Sequence, residues 1–105
     1  MTRYSIIFTR EFQRSIKKLD VKLREEILAE IEVISINPRP TGAKKLKTNF
    51  ACYRIRHGDC RIIYEIHDGQ VAVLILDVGD RGRIYKKSYS SLIHAIIRER
   101  NATIH

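Results

Sequence analysis

Cys52-Tyr53-Arg54-Ile55-Arg56-His57, then Gly58-Asp59, then Cys60-Arg61-Ile62-Ile63-Tyr64-Glu65-Ile66-His67: two β-rich runs flank a glycine and an aspartate. Gly-Asp between such runs signals a two-residue hairpin, with Gly58 supplying the positive φ at the first turn position. That turn dictates a register in which His57 opposes Cys60, Arg56 opposes Arg61, Ile55 opposes Ile62 and Tyr53 opposes Tyr64. Strand side chains alternate between faces, so Arg54, Arg56 and Arg61 share one face and Tyr53, Ile55, Ile62 and Tyr64 share the other. Like charges directly across a ladder are destabilising. The pattern therefore predicts an anion between the arginines, and a phosphate best matches their guanidinium forks. A solvated basic face is the simpler reading of any single arginine; three on one short hairpin favour a site.

Composition is consistent with such a partner. The chain has 105 residues and a net charge of +8, with a pI near 9.8. This favours a polyanion such as nucleic acid, or an acidic protein. The length suits one domain, residues 1–105, with a single modest core. No run approaches the ~18 apolar residues of a membrane span. The N-terminal stretch meets Arg10 and Glu11 too soon for a signal peptide, so a cytoplasmic protein without membrane contact is expected. Cys52 and Cys60 point to opposite faces in the hairpin register and should not bond to each other. No Cys/His spacing resembles a metal site. His57 is a minor acid/base candidate because it adjoins the arginines.

Outward from the hairpin, Tyr4 to Thr9 reads as a first strand and Thr9 as an N-cap. Phe12, Ile16 and Leu19 follow helical spacing. Asp20 caps a longer helix marked by Leu23, Ile27, Ile31 and Ile34, with Leu28 and Val33 widening the stripe. Asn37-Pro38 ends it, giving an αα-hairpin. Pro38 to Asn49 reads as a loop whose Lys44, Lys45 and Lys47 extend the charge of the arginine face toward a nucleic-acid backbone. Asp68-Gly69 is a turn pair. The nearly continuous apolar run Gln70 to Asp77 reads as a central strand covered on both faces. Helices would cover one face of the sheet. The other would be a shallow concavity floored by Leu74 and Leu76 and rimmed by the arginines. Gly79 and Gly82 bend the chain beyond that strand and bring Arg81, Arg83 and Tyr85 to the rim. Ser88 to Asn101 reads as a C-terminal helix.

A strand and helix pair followed by "LKTNFACYRIRHGDCRIIYEI" and "DGQVAVLILDVGDRGRIY" resembles the RelE/ParE toxin superfamily over about Tyr4 to Tyr85. The resemblance implies an α+β fold: an N-terminal strand, an αα-hairpin, and an antiparallel meander in a small, mainly antiparallel sheet. It implies a toxin paired with an antitoxin protein in a hetero-oligomer. RelE-like members cleave mRNA in the ribosomal A site; ParE-like members inhibit DNA gyrase and need no nuclease site. RelE-like nucleases carry basic residues at two alternate positions of one strand, an arginine on the next, another after a Val-Gly pair and a tyrosine beyond. Arg54, Arg56, Arg61, Arg81 and Tyr85 occupy those positions, and Tyr89 is an alternative for the last. Arg54 and Arg56 stand where some members have lysines, so they suit electrostatic stabilisation better than proton transfer. The nuclease branch implies the ribosome and mRNA as partners, with RNA contacts from Lys44, Lys45, Lys47 and Arg83. It also implies metal-free chemistry without a cofactor, leaving a 2′,3′-cyclic phosphate and a 5′-hydroxyl. The competing expectations are a gyrase inhibitor and, third, a basic module that binds RNA without cutting it.

Overall fold

The computed structural model describes residues 3–47 and 51–80. The elements run β1 (Ser5–Phe8), α1 (Arg10–Lys17), α2 (Val21–Ile36), β2 (Lys44–Lys45), β3 (Cys52–His57), β4 (Cys60–His67) and β5 (Ala72–Asp80). The strands form one sheet in the order β1-β5-β4-β3-β2. β1 pairs with β5 in parallel and every other pairing is antiparallel. This is the α+β arrangement that the sequence predicts. The helix expected over 88–101 lies outside the described residues.

Local chemistry sets the helix ends. The Thr9 hydroxyl accepts from the Phe12 amide at 3.1 Å, and the Asp20 carboxylate accepts from Leu23 at 2.8 Å. Each satisfies an amide donor that the first helical turn leaves unpaired. The corner between the helices is held by Arg24, whose guanidinium donates to the carbonyls of Ile16, Lys17 and Leu19 at 3.3, 3.3 and 3.1 Å. It thereby caps the exposed acceptors at the end of α1. Ile27, Ile31 and Ile34 form one buried row at helical spacing. Leu28 and Val33 do not widen it: they fall to either side of the row, beyond reach of the sheet, and stay 40% and 47% exposed.

The sheet has two unlike faces. Ile55, Ile62, Tyr64, Ile66, Val73, Ile75 and Val78 pack with Phe12 and the α2 row into the main core. On the opposite face, Cys52, Ile63, Leu74 and Leu76 form a smaller buried cluster flanked by Ile7 and Leu46. Leu74 and Leu76 are only 4% and 1% exposed, so they are core residues and not an open floor. A strand that is apolar on both faces must lose water from both. Cys52 and Cys60 are both buried, sit in different clusters and form no disulfide with each other.

Strand β5 starts later and runs further than its composition indicates. Asp68–Gln70 form a 3-10 turn, and Val71 follows in the left-handed region at φ 49°. A β-branched residue is strained there, by about 1–3 kcal/mol. The turn closes through Val71 N–H donating to the Asp68 carbonyl, and it presents the Val71 carbonyl to Ser5 N–H at 2.9 Å, which ties β1 to the sheet. At its other end β5 continues to Asp80, and Gly79 pairs with Arg61, so the strand does not bend at Gly79.

The connection from α2 to β2 is held by a polar clasp. Asp68 accepts from Arg39 at 2.9 Å and from the Tyr4 hydroxyl at 2.7 Å. Arg39 also donates to the Tyr53 hydroxyl at 3.2 Å, and the Tyr64 hydroxyl donates to the Pro38 carbonyl at 2.7 Å. Hydrogen bonds from Arg39 first, and from Tyr4 second, hold the Asp68 carboxyl below the usual aspartate range. Its contribution to stability is therefore present above that range and is lost as pH falls through the depressed value. Thermal melts should show Asp68→Asn below the wild type at pH 7. The gap should close as the pH drops below about 4; a gap that persists in acid would show that the clasp is not ionic.

Candidate functional site

The β3–β4 ladder has the register that its turn dictates. Arg56 pairs with Arg61, Ile55 with Ile62, Tyr53 with Tyr64 and His57 with Cys60. Gly58 carries the positive φ, 60°. Pairing and alternation bring Arg54, Arg56 and Arg61 onto the sheet face opposite the two helices. Their environments differ. Arg56 is exposed, Arg54 is half-buried, and Arg61 is only 4% exposed.

Arg61 is the unusual member. One of its terminal nitrogens donates to the Asp59 carbonyl at 3.3 Å, while its Nε is buried with no hydrogen-bond partner among the described residues. Guanidinium is a donor only and stays protonated. A buried, unpaired donor costs about 1–3 kcal/mol, and the Arg56 guanidinium across the ladder adds like-charge repulsion. An anion seated here would meet both costs at once.

The sequence around Lys44 and Lys45 reads as a loop. They form instead the edge strand β2, with Lys44 opposite Arg54 and Lys45 opposite Tyr53. Two residues carry no periodicity, so pairing with β3 was not readable in the sequence. Register puts Lys44 on the arginine face and turns Lys45 toward the helix side. Lys47 is exposed just beyond β2. Arg81, Arg83, Tyr85 and Tyr89 lie outside the described residues. His57 faces the helix side, where its Nε2 is 3.3 Å from Glu26 of α2, so it does not adjoin the arginine side chains.

Further along the same face stands a buried carboxylate that sequence reasoning missed. Glu65 is fully buried, 2.7 Å from His67 Nε2 and 4.0 Å from Cys52 Sγ. Its only signal was a charged residue inside the apolar run Ile62 to Ile66. The face thus changes from cationic near the turn to acidic at the far end of β4. Among the described residues, no three His, Cys, Asp or Glu side chains group so as to hold a metal ion, and no helix is long and apolar enough to cross a membrane. Chemically, the arginine cluster can bind and stabilise an oxyanion. It offers no base, so any proton transfer needs another group.

Comparison with known proteins gives a consistent result. A family model described as the ParE toxin of type II toxin–antitoxin systems matches residues 6–85. The mRNA interferase toxin RelE of Escherichia coli K12 is 28% identical over 96 residues, which cover 90% of this chain and 98% of that protein. The toxin–antitoxin complex RelBE2 of Mycobacterium tuberculosis contains a chain that superimposes with a TM-score of 0.68 at 28% identity, over 77% of this chain and 94% of that one. For the intact E. coli RelBE complex the TM-score is 0.65 at 25% identity, over 73% and 95% of the two chains.

The cost of burying Arg61 has a measurable consequence. Replacing it with methionine removes the unpaired donor and the repulsion while keeping much of the apolar stem. Chemical denaturation of Arg61→Met should show a gain of about 1–3 kcal/mol over the wild type. A loss of that size would mean that the guanidinium is a net structural asset.

Proposed function

The chain belongs to the ParE toxin family of type II toxin–antitoxin systems, and on that premise we propose that it is a ribosome-dependent endoribonuclease that cuts mRNA in the A site. The observation that carries this reading is the Arg56–Arg61 rung, with a desolvated, unpaired Nε on Arg61. Full-length similarity to a protein named as an mRNA interferase supports it. A toxin that only binds another protein has no need of a buried guanidinium whose Nε lacks an acceptor.

In the reaction, the 2′-oxygen attacks the adjacent phosphorus, and the bond from phosphorus to the 5′-oxygen breaks. The 2′-hydroxyl proton goes to a base, and the leaving 5′-oxygen takes a proton. Arg56 and Arg61 stabilise the dianionic phosphorane, and Arg54 holds the flanking backbone. Donors already oriented toward developing charge supply the largest share of such catalysis. Tyr85 serves as the base, the role that the family resemblance gives to the tyrosine beyond the Val-Gly pair. The resemblance assigns Arg81 to the leaving oxygen, and Arg83 adds a charge for the RNA backbone. The products are a 2′,3′-cyclic phosphate and a 5′-hydroxyl, with no metal or cofactor required. A site with so few acids and bases is slow on free RNA, and the ribosome supplies the alignment of the substrate. An antitoxin segment with acidic character would silence the toxin by occupying the arginine face.

The match to a ParE family model favours one other reading, the ParE-like branch, which the sequence resemblance ties to inhibition of DNA gyrase without RNA cleavage. Induction of the toxin separates the two. On the nuclease reading, ribosome-bound mRNA is cut to fragments ending in cyclic phosphate, and Arg61→Ala lowers the rate by about 10²–10³. Intact mRNA with accumulating DNA breaks would establish the gyrase reading instead.

A further inference from the structure

The cationic face has a direction. From Arg61 on β4, positive charge continues through Arg56 and Arg54 on β3 to Lys44 on β2, which lies at the edge of the sheet. In the other directions, among the described residues, it stops. Toward β5 the face is apolar, with Ile63, Leu74 and Leu76 buried together. Along β4 away from the turn it meets the buried carboxylate of Glu65. A polyanion seated on the Arg56–Arg61 rung is therefore led across the strands toward β2. Arg61 and Lys44 are two strand spacings apart, about 10 Å, and further apart along the strands. That separation gives the two side chains room to hold different phosphates of one strand.

On the nucleic-acid reading of this face, we propose that Lys44 is a positioning residue that holds the backbone of single-stranded RNA as it leaves the arginine site over the β2 edge. The lysine pair separates this role from its alternatives. Lys45 is the next residue, equally charged and likewise exposed, but its place opposite Tyr53 turns it to the other face. If the two lysines served only net charge, or blunted a sheet edge against aggregation, they would be equivalent. If Lys44 holds a phosphate, they are not.

The test uses a short 2′-O-methyl RNA, which keeps every phosphate and lacks the attacking hydroxyl. Its affinity is measured between 50 and 200 mM salt for the wild type, Lys44→Ala, Lys45→Ala and Arg61→Ala. One lost phosphate contact on a single strand lowers the salt slope by about 0.7, so the advantage of the wild type over the variant shrinks about 2.5-fold across that range. Lys44→Ala should show this change and Lys45→Ala a smaller one or none. Equal changes in both lysine variants, or none in Lys44→Ala, overturn the β2 assignment; a loss in Arg61→Ala then leaves the arginine site standing. Affinity that none of the variants alters overturns both.

Discussion

Two arginines stand opposite each other across one rung of the β3–β4 ladder, and one of them is nearly removed from water. Everything proposed for this protein depends on that unfavourable pairing. A two-residue turn with Gly58 at positive φ allows only one register. A slip of one residue would send both arginines into the helix-packed core, where the cost of charge burial would far exceed that of the present arrangement. The main core thus enforces the strain on the other face. Ile55, Ile62 and Tyr64 must face the helices, so Arg54, Arg56 and Arg61 must face away.

The rest of the structure can be understood as support for that face. The row Ile27, Ile31 and Ile34 and the capped corner at Asp20 hold the helices against one side of the sheet. The clasp of Arg39, Asp68, Tyr4 and Tyr53 anchors the segment that leads into β2 and thereby carries Lys44 to its place opposite Arg54. Glu65, with His67 beside it, sets the acidic limit of the cationic region. The electrostatics need no titration near neutral pH, because guanidinium remains protonated. The site is built to recognise charge, and proton transfer has to come from outside the arginine cluster.

What could be read from the sequence follows from how local each signal is. The hairpin register, both helix caps and the end of α2 at Ile36 depend on a few adjacent residues, and they appear in the structure where the sequence indicates. The edge strand β2 does not depend on its own residues at all; it exists because β3 offers a partner. Likewise the burial of Arg61 and Glu65 is set by what packs over a face, which alternation alone does not reveal. Leu74 and Leu76 show the same limit: the apolar run Gln70 to Asp77 calls for cover on both faces, yet only the fold shows these two leucines inside a buried cluster and not on an open floor. Arg24 reads as a surface residue of a helix and acts as the cap of the preceding one. The chemistry of the individual residues was visible, and their solvent exposure was not.

Thermal unfolding against inorganic phosphate, at constant ionic strength so that screening stays fixed, tests the central claim most directly. An anion that binds between Arg56 and Arg61 in the folded state alone must raise the melting temperature as its concentration rises past the dissociation constant. The account predicts such a rise for the wild type and none for Arg61→Met. Equal shifts in the two proteins would show that phosphate acts elsewhere, and that the opposed arginines are a solvated surface and not a site.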